Sequence, residues 1–407
     1  MDKSYSSSPL PKEQSPAHRS QDPPRSSGLF GLTTVIWKPG VLFRLDLDGA
    51  LHLYDFRGRH FRVNGATQGH LFVCELLREP HAVDDIGAQV AQRYPEMTTR
   101  TISRLLSLFH SRGLLEDDDQ VPSVEMTQET QERFDRQMRY FGFFERPDMD
   151  RFAMQISLSR ATVVVLGVGG VGSWVSWHLA AMGVGRLVLV DSDLVELSNL
   201  NRQAIYNPSV ISQRKVDAAS ERLTSAYPGL VIVPVYRHLK SSSDVADVIE
   251  DAQLVVLTAD QPKILIRRWV SEACVAKGIP WVQGSLSAYW LQVGPFYNPP
   301  ATGCYACRES SMRARDPDIY DAQIAAMISE PLKRPPLIGP LCGLVGTLIA
   351  MDVVRYLTAS EPPATFGRFF IIDARSWKTR VEPVERVEGC QVCGTMAPRT
   401  AIERQEG

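Results

Sequence analysis

The sequence predicts an α/β protein built on an open, doubly wound sheet, with a small winged-helix-like α+β module ahead of it. Three observations predict this. Val163–Leu166 is a short, apolar, β-branched run of the kind that forms a buried strand, and Gly167, Gly169, Gly170 and Gly172 follow at once. Trp174–Met182 then reads as a helix ending at Gly183 and Gly185, and Leu187–Val190 as a second strand ending in Asp191, a βαβ unit with a glycine-rich first turn. Between Leu29 and Gln120 the hydrophobic period switches from that of strands to that of helices, as in a separate small domain.

The bulk properties set limits. A chain of 407 residues holds two or three domains. Its 44% hydrophobic and 22% charged residues suit a soluble globular protein. A net charge of −2 gives no electrostatic reason to expect nucleic acid or an anionic membrane as partner. No apolar run reaches the roughly 18 residues of a membrane span, and the N-terminus lacks the apolar core of a secretory signal. These features predict a cytoplasmic protein, in which seven cysteines point to metal or chemistry before disulfides.

Residues Met1–Gly28, rich in Ser, Pro, Gln and basic residues, bury no core and read as a disordered tail. Order is expected from Leu29. Phe43, Leu45 and Leu47 alternate with Arg44, Asp46 and Asp48, a half-buried strand closed by the Asp48-Gly49 turn. Leu51–Phe56 and His60–Val63 complete a three-strand meander across a second turn at Arg57-Gly58. Three helical faces follow: Phe72, Val73, Leu76 and Leu77; Val83, Ile86 and Val90; Ile102, Leu105, Leu106 and Phe109, the last closed by Gly113. Winged helices often bind DNA, but residues 29–120 hold ten Lys/Arg against twelve Asp/Glu and would gain nothing from counterion release. The acidic run Glu116–Asp119 reads as a solvated linker. It leads to a domain over 121–407 that begins with the polar helix Gln128–Gly142.

The glycine turn alone leaves two readings open. Gly167-x-Gly169-x-x-Gly172 fits a Rossmann-like dinucleotide fingerprint, with Asp191, 19 residues past Gly172, where a ribose-binding acid belongs. The same turn suits any phosphate held at a helix N-terminus. Residues 198–203 (SNLNRQ), Lys215 and two distant cysteine pairs decide against a nicotinamide enzyme.

GVGGVG, LVLVDSDLVELSNLNRQ and QRKVDAA together resemble the ThiF/MoeB/HesA family, related to ubiquitin-activating enzymes, over roughly Arg133 to Gly394. The resemblance implies transfer of AMP from ATP to a carboxylate, with release of pyrophosphate. Both reactants are anions, so such a site needs cations, a metal and fixed donors about the α-phosphate. It implies that Gly167, Gly169, Gly170 and Gly172 shape the nucleotide turn, that Asp191 takes the ribose, and that Asp193 and Gln203 belong to the nucleotide site. It places Asn199, Arg202 and Lys215 on the phosphates, Asp260 of LTADQ on Mg²⁺, and Arg136 of RFDRQ across a homodimer interface. Taken singly, Arg202 or Lys215 is an ordinary surface charge and Asp191 a strand-end cap. Six such residues in family order are not.

Cys304-x-x-Cys307 and Cys390-x-x-Cys393 supply four thiolates, the ligand set of a closed structural zinc site. The 82 residues between the pairs exceed a zinc ribbon and resemble the same family. Arg308–Pro336 resembles the mobile crossover loop of relatives, some of which carry a thioester-forming cysteine there. This chain has none between Cys307 and Cys342, and Cys342, Cys74 and Cys274 read as buried small hydrophobes on apolar helical faces. Phe369–Asp373 reads as a late strand and Thr395–Gly407 as a loose tail.

From FRVNGATQGHLFVCELL to SRLLSLFHSRGLL, the N-terminal module resembles the PqqD-like element that binds leader peptides. This implies a groove between Arg59–Val63 and Thr99–Arg112 where a peptide adds as a strand. An accessory domain that only packs on the rest is the other reading. The order of domains resembles microcin- and pantocin-maturing enzymes. The expectation is an adenylyltransferase that activates a carboxylate of a ribosomal precursor peptide without an enzyme thioester. The rivals are a ubiquitin-like sulfur-carrier substrate and a non-catalytic leader-binding scaffold for a cyclodehydratase.

Overall fold

The computed structural model describes residues 33–117, 126–146, 149–329 and 336–394. The expectations for the two tails and for the onset of order at Leu29 lie outside them. The chain divides into two compact units, Met1–Val121 and Pro122–Gly407.

The first unit runs β1 (Thr34–Trp37), β2 (Leu42–Leu45), β3 (Ala50–Tyr54), β4 (His60–Asn64), α1 (Gln68–Leu76), β5 (His81–Ala82), α2 (Val83–Arg93), α3 (Thr99–Ser111) and β6 (Leu115–Asp117). Strands β2, β3 and β4 form the antiparallel meander, with β4 at its edge. Gly49 and Gly58 take φ of 75° and 73° in its two turns, a region that favours glycine. Helix α3 buries Ile102, Leu105, Leu106 and Phe109 against Leu51, Leu53, Val73 and Ile86, and the Thr98 hydroxyl caps it by accepting from the Thr101 N–H.

The structure corrects one expectation here. Glu116 and Asp117 are not a solvated linker but lie buried in β6, paired antiparallel to β1. Leu114 and Leu115 are pulled into the core, and the Trp37–Leu115 register carries the next two residues into the ladder. The Asp117 carboxylate accepts from the backbone N–H groups of Thr33 and Thr34, which removes the objection to burying it. Strands β1 and β5, absent from the sequence reading, complete this second sheet in the order β5-β1-β6.

The second unit contains α4 (Gln128–Phe141), α5 (Arg151–Arg160), β7 (Thr162–Leu166), α6 (Gly170–Ala181), β8 (Arg186–Asp191), α7 (Lys215–Ala226), β9 (Val231–Tyr236), α8 (Ser242–Val248), β10 (Leu254–Leu257), α9 (Lys263–Lys277), β11 (Trp281–Ser287), β12 (Trp290–Tyr297), α10 (Tyr305–Arg315), α11 (Pro317–Ser329), α12 (Gly339–Thr358), β13 (Arg368–Asp373) and β14 (Lys378–Pro383). One eight-stranded sheet has the order β14-β13-β12-β11-β10-β7-β8-β9. Strands β11 to β9 are parallel, and β12 to β14 extend the sheet antiparallel. Both faces are covered: Val163 and Val165 join one core, Val164 and Leu166 the other. The chain leaves β7 toward β8 and later returns to β10 on the other side, so the topological switch point lies at the end of β7.

Two readings change in this unit. Arg308–Pro336 is largely helical in its described part, as α10 and α11. Residues 305–315 contain no helix breaker, and Pro317 restarts the helix at a position where its missing N–H costs nothing. Helix α12 is 20 residues long and apolar enough, by length and composition, to cross a membrane. It is a core helix instead. Half of it is buried, it packs against α6, and its Asp352 accepts from Ala364 N, Thr365 N and the Thr365 hydroxyl.

Candidate functional site

A cavity of about 370 Å³ opens at the C-terminal ends of β7, β8 and β10. Strand β7 delivers the chain into Gly167, whose φ of 92° turns it sharply toward α6. A Cβ at Gly167 would stand 2.6 Å from the Ala259 nitrogen. Gly169, Gly170 and Val171 line the cavity where α6 begins, and the first N–H groups of a helix lack intrahelical partners.

Gly172 has another role. A Cβ there would lie 1.9 Å from the Gly167 carbonyl oxygen, so only hydrogen lets α6 pack on the turn. Gly172 is not among the residues lining the cavity.

The acids follow β8. The Asp191 carboxylate accepts from Val168 N at 2.7 Å and Asp193 N at 2.8 Å. Burial pushes its pKa above the ordinary carboxylate value, and the nearby Lys215 ammonium and these two N–H groups pull it partly back. Lys215, only 5% exposed, donates from Nζ to Asp193 Oδ2 at 2.7 Å. Asp191, Asp193 and Lys215 all line the cavity.

Arg202 and Gln203 also line the cavity. Arg202 donates to the Ser198 carbonyl at 2.6 Å, while its buried Nε has no partner among the described residues. Gln203 is 3% exposed, and its Oε1 is likewise unpartnered. Unsatisfied buried polar atoms beside a cavity mark a place prepared for a polar ligand. Asp260 lies exposed just past β10 and lines the cavity.

Two expected residues fall elsewhere. Asn199 is buried and absent from the cavity lining; its Oδ1 accepts from Glu196 N and closes a short 3₁₀ turn. The local turn competes for the amide and wins. The Arg136 side chain on α4 is 97% exposed and outside the cavity of its own chain.

Several lining residues were not foreseen: Arg237, His238, Thr258, Arg267, Ser285 and Cys342. Arg237 and His238 follow β9, and Thr258 follows β10, so the strand-end rule that singled out Asp191 would have found them. Arg267 from α9, held by Gln283 Oε1 at 3.1 Å, carried no such signal. Cys342 is buried as expected, yet it also borders the cavity beside Gly170. Burial pushes its thiol up to about 11, while Arg202 pulls it down.

Cys304, Cys307, Cys390 and Cys393 bring their sulfurs within 4.8 Å of one another, all buried. Their contacts of 3.8, 3.6 and 3.4 Å far exceed the ~2.05 Å of a disulfide. A tetrahedron with ~2.3 Å zinc–sulfur bonds has sulfurs ~3.8 Å apart, so the cluster fits a four-coordinate metal.

In the first unit, a groove of about 270 Å³ lies between β4 and the end of α3. Phe61, Val63, Leu108 and Phe109 give it an apolar floor. Among the described residues strand β4 pairs only with β3, so its outer edge offers backbone donors and acceptors.

A glycine turn, paired acids and two cations at the switch point of a parallel sheet define an α/β nucleotide-binding protein. The profile of the ThiF family matches residues 134–392, and the chain belongs to that family. It is an ATP-dependent adenylyltransferase of the ThiF/MoeB kind. The molybdopterin-synthase adenylyltransferase of Escherichia coli is 30% identical over 271 residues, 67% of this chain and 99% of that relative. The Thermus thermophilus sulfur carrier protein adenylyltransferase is 32% identical over 246 residues, 59% of this chain and 84% of the relative. Among solved structures, E. coli MccB with ATP superposes with a TM-score of 0.68 at 20% identity, over 89% of this chain and 100% of MccB. PaaA superposes with a TM-score of 0.66 at 21% identity, over 85% and 99%.

Proposed function

We propose that the protein activates a carboxylate of a ribosomally made precursor peptide as an acyl adenylate, in the cytoplasm, as a homodimer. The observation that carries this is the pairing of the nucleotide cavity with an N-terminal unit whose groove lies beside an open strand edge. The relatives whose names give a sulfur carrier protein match 59% of the chain, whereas MccB, solved with the peptide MccA, matches in fold over 89%.

In this reading Asp191 takes the ribose hydroxyls, and Gly169, Gly170 and the start of α6 cradle phosphate. Lys215 and Arg202 hold the phosphates, and the unpartnered Arg202 Nε and Gln203 Oε1 find their partners in bound nucleotide and substrate. A carboxylate oxygen attacks the α-phosphorus, a new acyl–phosphate bond forms, and the α–β bridging bond breaks. Pyrophosphate leaves with the electron pair. Lys215 acts where negative charge accumulates, in a low-dielectric wall where its attraction is strong. Asp260 would hold Mg²⁺, which supplies further neutralisation of the triphosphate. Arg136 would serve the site of a partner subunit, since its own chain leaves it in solvent. The four cysteines would hold a zinc ion that is structural, because four sulfur ligands leave no open position. No cysteine lies between Cys307 and Cys342, and burial raises the thiol of Cys342, which borders the cavity, so in this reading the acyl group passes to a nucleophile other than an enzyme thiol.

The test is pyrophosphate release on mixing the protein with ATP, Mg²⁺ and a candidate precursor peptide. No peptide-dependent release would sink the proposal. Release with a Gly-Gly-ended carrier protein in place of the peptide would favour the sulfur-carrier reading. Tight peptide binding without ATP turnover would favour the scaffold.

A further inference from the structure

Residues 29–120 hold twelve acidic and ten basic side chains, yet among the described residues no acidic one lines the groove of that unit. Two arginines do. Arg62 on β4 and Arg112 just past α3 are exposed, and neither makes an ion pair among the described residues. Arg112 lies over the Phe61 ring at 5.7 Å; Arg59 lies over the same ring at 5.4 Å and donates to the Arg112 carbonyl. The Asp55 carboxylate is committed to the β3–β4 turn, accepting from Arg57 N, Arg59 N and Arg59 Nε. An acidic module thus presents a basic, apolar-floored groove beside a strand edge that is unpaired among the described residues.

Charged residues on an edge strand also guard it against self-pairing. An apolar cavity beneath them serves no such guard, and it gives a duplex backbone nothing to contact. The combination fits a polypeptide that is extended, apolar at one position and negative beside it. We propose that the groove is specific for an acidic segment of a partner polypeptide, which adds to β4 as a strand. It seats one apolar side chain on Phe61, Val63 and Leu108 and sets Asp or Glu carboxylates against Arg62 and Arg112. This rests on the reading of the N-terminal unit as a peptide-binding element and adds its selectivity.

The experiment pans a random peptide display library against the full-length protein. Enriched sequences are expected to carry an apolar residue with Asp or Glu within a few positions. A synthetic peptide of that consensus should bind more weakly at higher salt. Arg62→Gln and Arg112→Gln should each weaken it about two- to fivefold, the range of exposed ion pairs, and Arg112→Glu should turn the preference toward basic peptides. Enrichment of apolar sequences without acidic bias, or of basic ones, overturns the acidic selectivity and leaves peptide binding standing. No enriched peptide, or binding indifferent to Phe61→Ala in a variant that melts like the parent, overturns the peptide-binding reading itself. A labelled oligouridylate that competes for the groove and binds more tightly than the consensus peptide overturns the choice of polypeptide.

Discussion

In the nucleotide cavity most charges are held by another part of the fold. Lys215 is tied to Asp193, Asp191 to two backbone N–H groups, Arg237 to Asp244 and Asp247, and Arg267 to Gln283. In the groove of the first unit, Arg62 and Arg112 reach solvent with no ion pair among the described residues. Groups that meet a transition state gain from being fixed beforehand, since no energy is then spent on reorganisation. Groups that choose among partner sequences can order on binding. The comparison also separates what a substitution should do in each place.

The largest effect is expected at Lys215. Lys215→Ala should lower adenylation about 10²- to 10³-fold, as for loss of a preorganised charge-stabilising group, while the groove keeps its peptide affinity. Pyrophosphate release checks the first part and fluorescence anisotropy of a labelled peptide the second; a variant retaining a tenth of its activity would break the contrast. Next comes the cysteine cluster. Cys304→Ser, or chelation, should remove one zinc per chain and destabilise the second unit by several kcal/mol, with amide exchange in β2–β4 unchanged. Metal analysis and hydrogen exchange read both.

Glycines give a third contrast. Gly172→Ala places a methyl 1.9 Å from a carbonyl oxygen and should cost about 3 kcal/mol or more in urea unfolding. Gly58→Ala meets no atom within 4 Å and should cost only about 1–2 kcal/mol for its φ of 73°. Equal losses at the two sites would contradict the packing role of Gly172.

The smallest effect is a difference in pH response. For Asp55, burial alone would raise the pKa, but the hydrogen bonds and charge of Arg59 outweigh it and hold the carboxyl below its usual value. Its stabilising contribution is therefore present above the unfolded carboxylate pKa of about 3.9 and lost as pH falls through the lowered value. Asp191 is raised, so its contribution is present below about pH 3.9 and lost as pH rises through the raised value. Amide exchange should show the β3–β4 turn loosening in acid, and Asp55→Asn should abolish that dependence. A turn equally acid-labile in the variant would count against this assignment.

The glycine turn, Asp191, Arg202 and Lys215 were legible because chemistry dictates their type and order along a contiguous stretch. Arg267 and Cys342 were not, because packing brings them to the cavity from α9 and α12, where a lone arginine or cysteine has no distinguishing pattern. Asn199, expected on the phosphates, lies outside the cavity lining, and residue order cannot tell a ligand amide from one closing its own turn. The linker reading of Glu116 and Asp117 went wrong for a related reason: a charge run looks solvated until the N–H groups of Thr33 and Thr34 are known to face it. The meander and three helices were readable from period alone, whereas β1, TVIW, shows no apolar–polar alternation and β5, only two residues long, is too short to show one.

The cysteine cluster joins residues 304–307 to residues 390–393, and so closes a ring in the chain that contains α12. That helix carries Cys342 into the cavity wall, and Gly339 at its start lies against the Asn201 backbone. On the ribosome this ring cannot close until Cys393 has emerged. The nucleotide turn is complete at Gly172, some 220 residues earlier, but the helix that brings Cys342 to the cavity is clasped only by the second cysteine pair. A chain that stops before Cys390 should therefore bind ATP more weakly than one that carries both cysteine pairs.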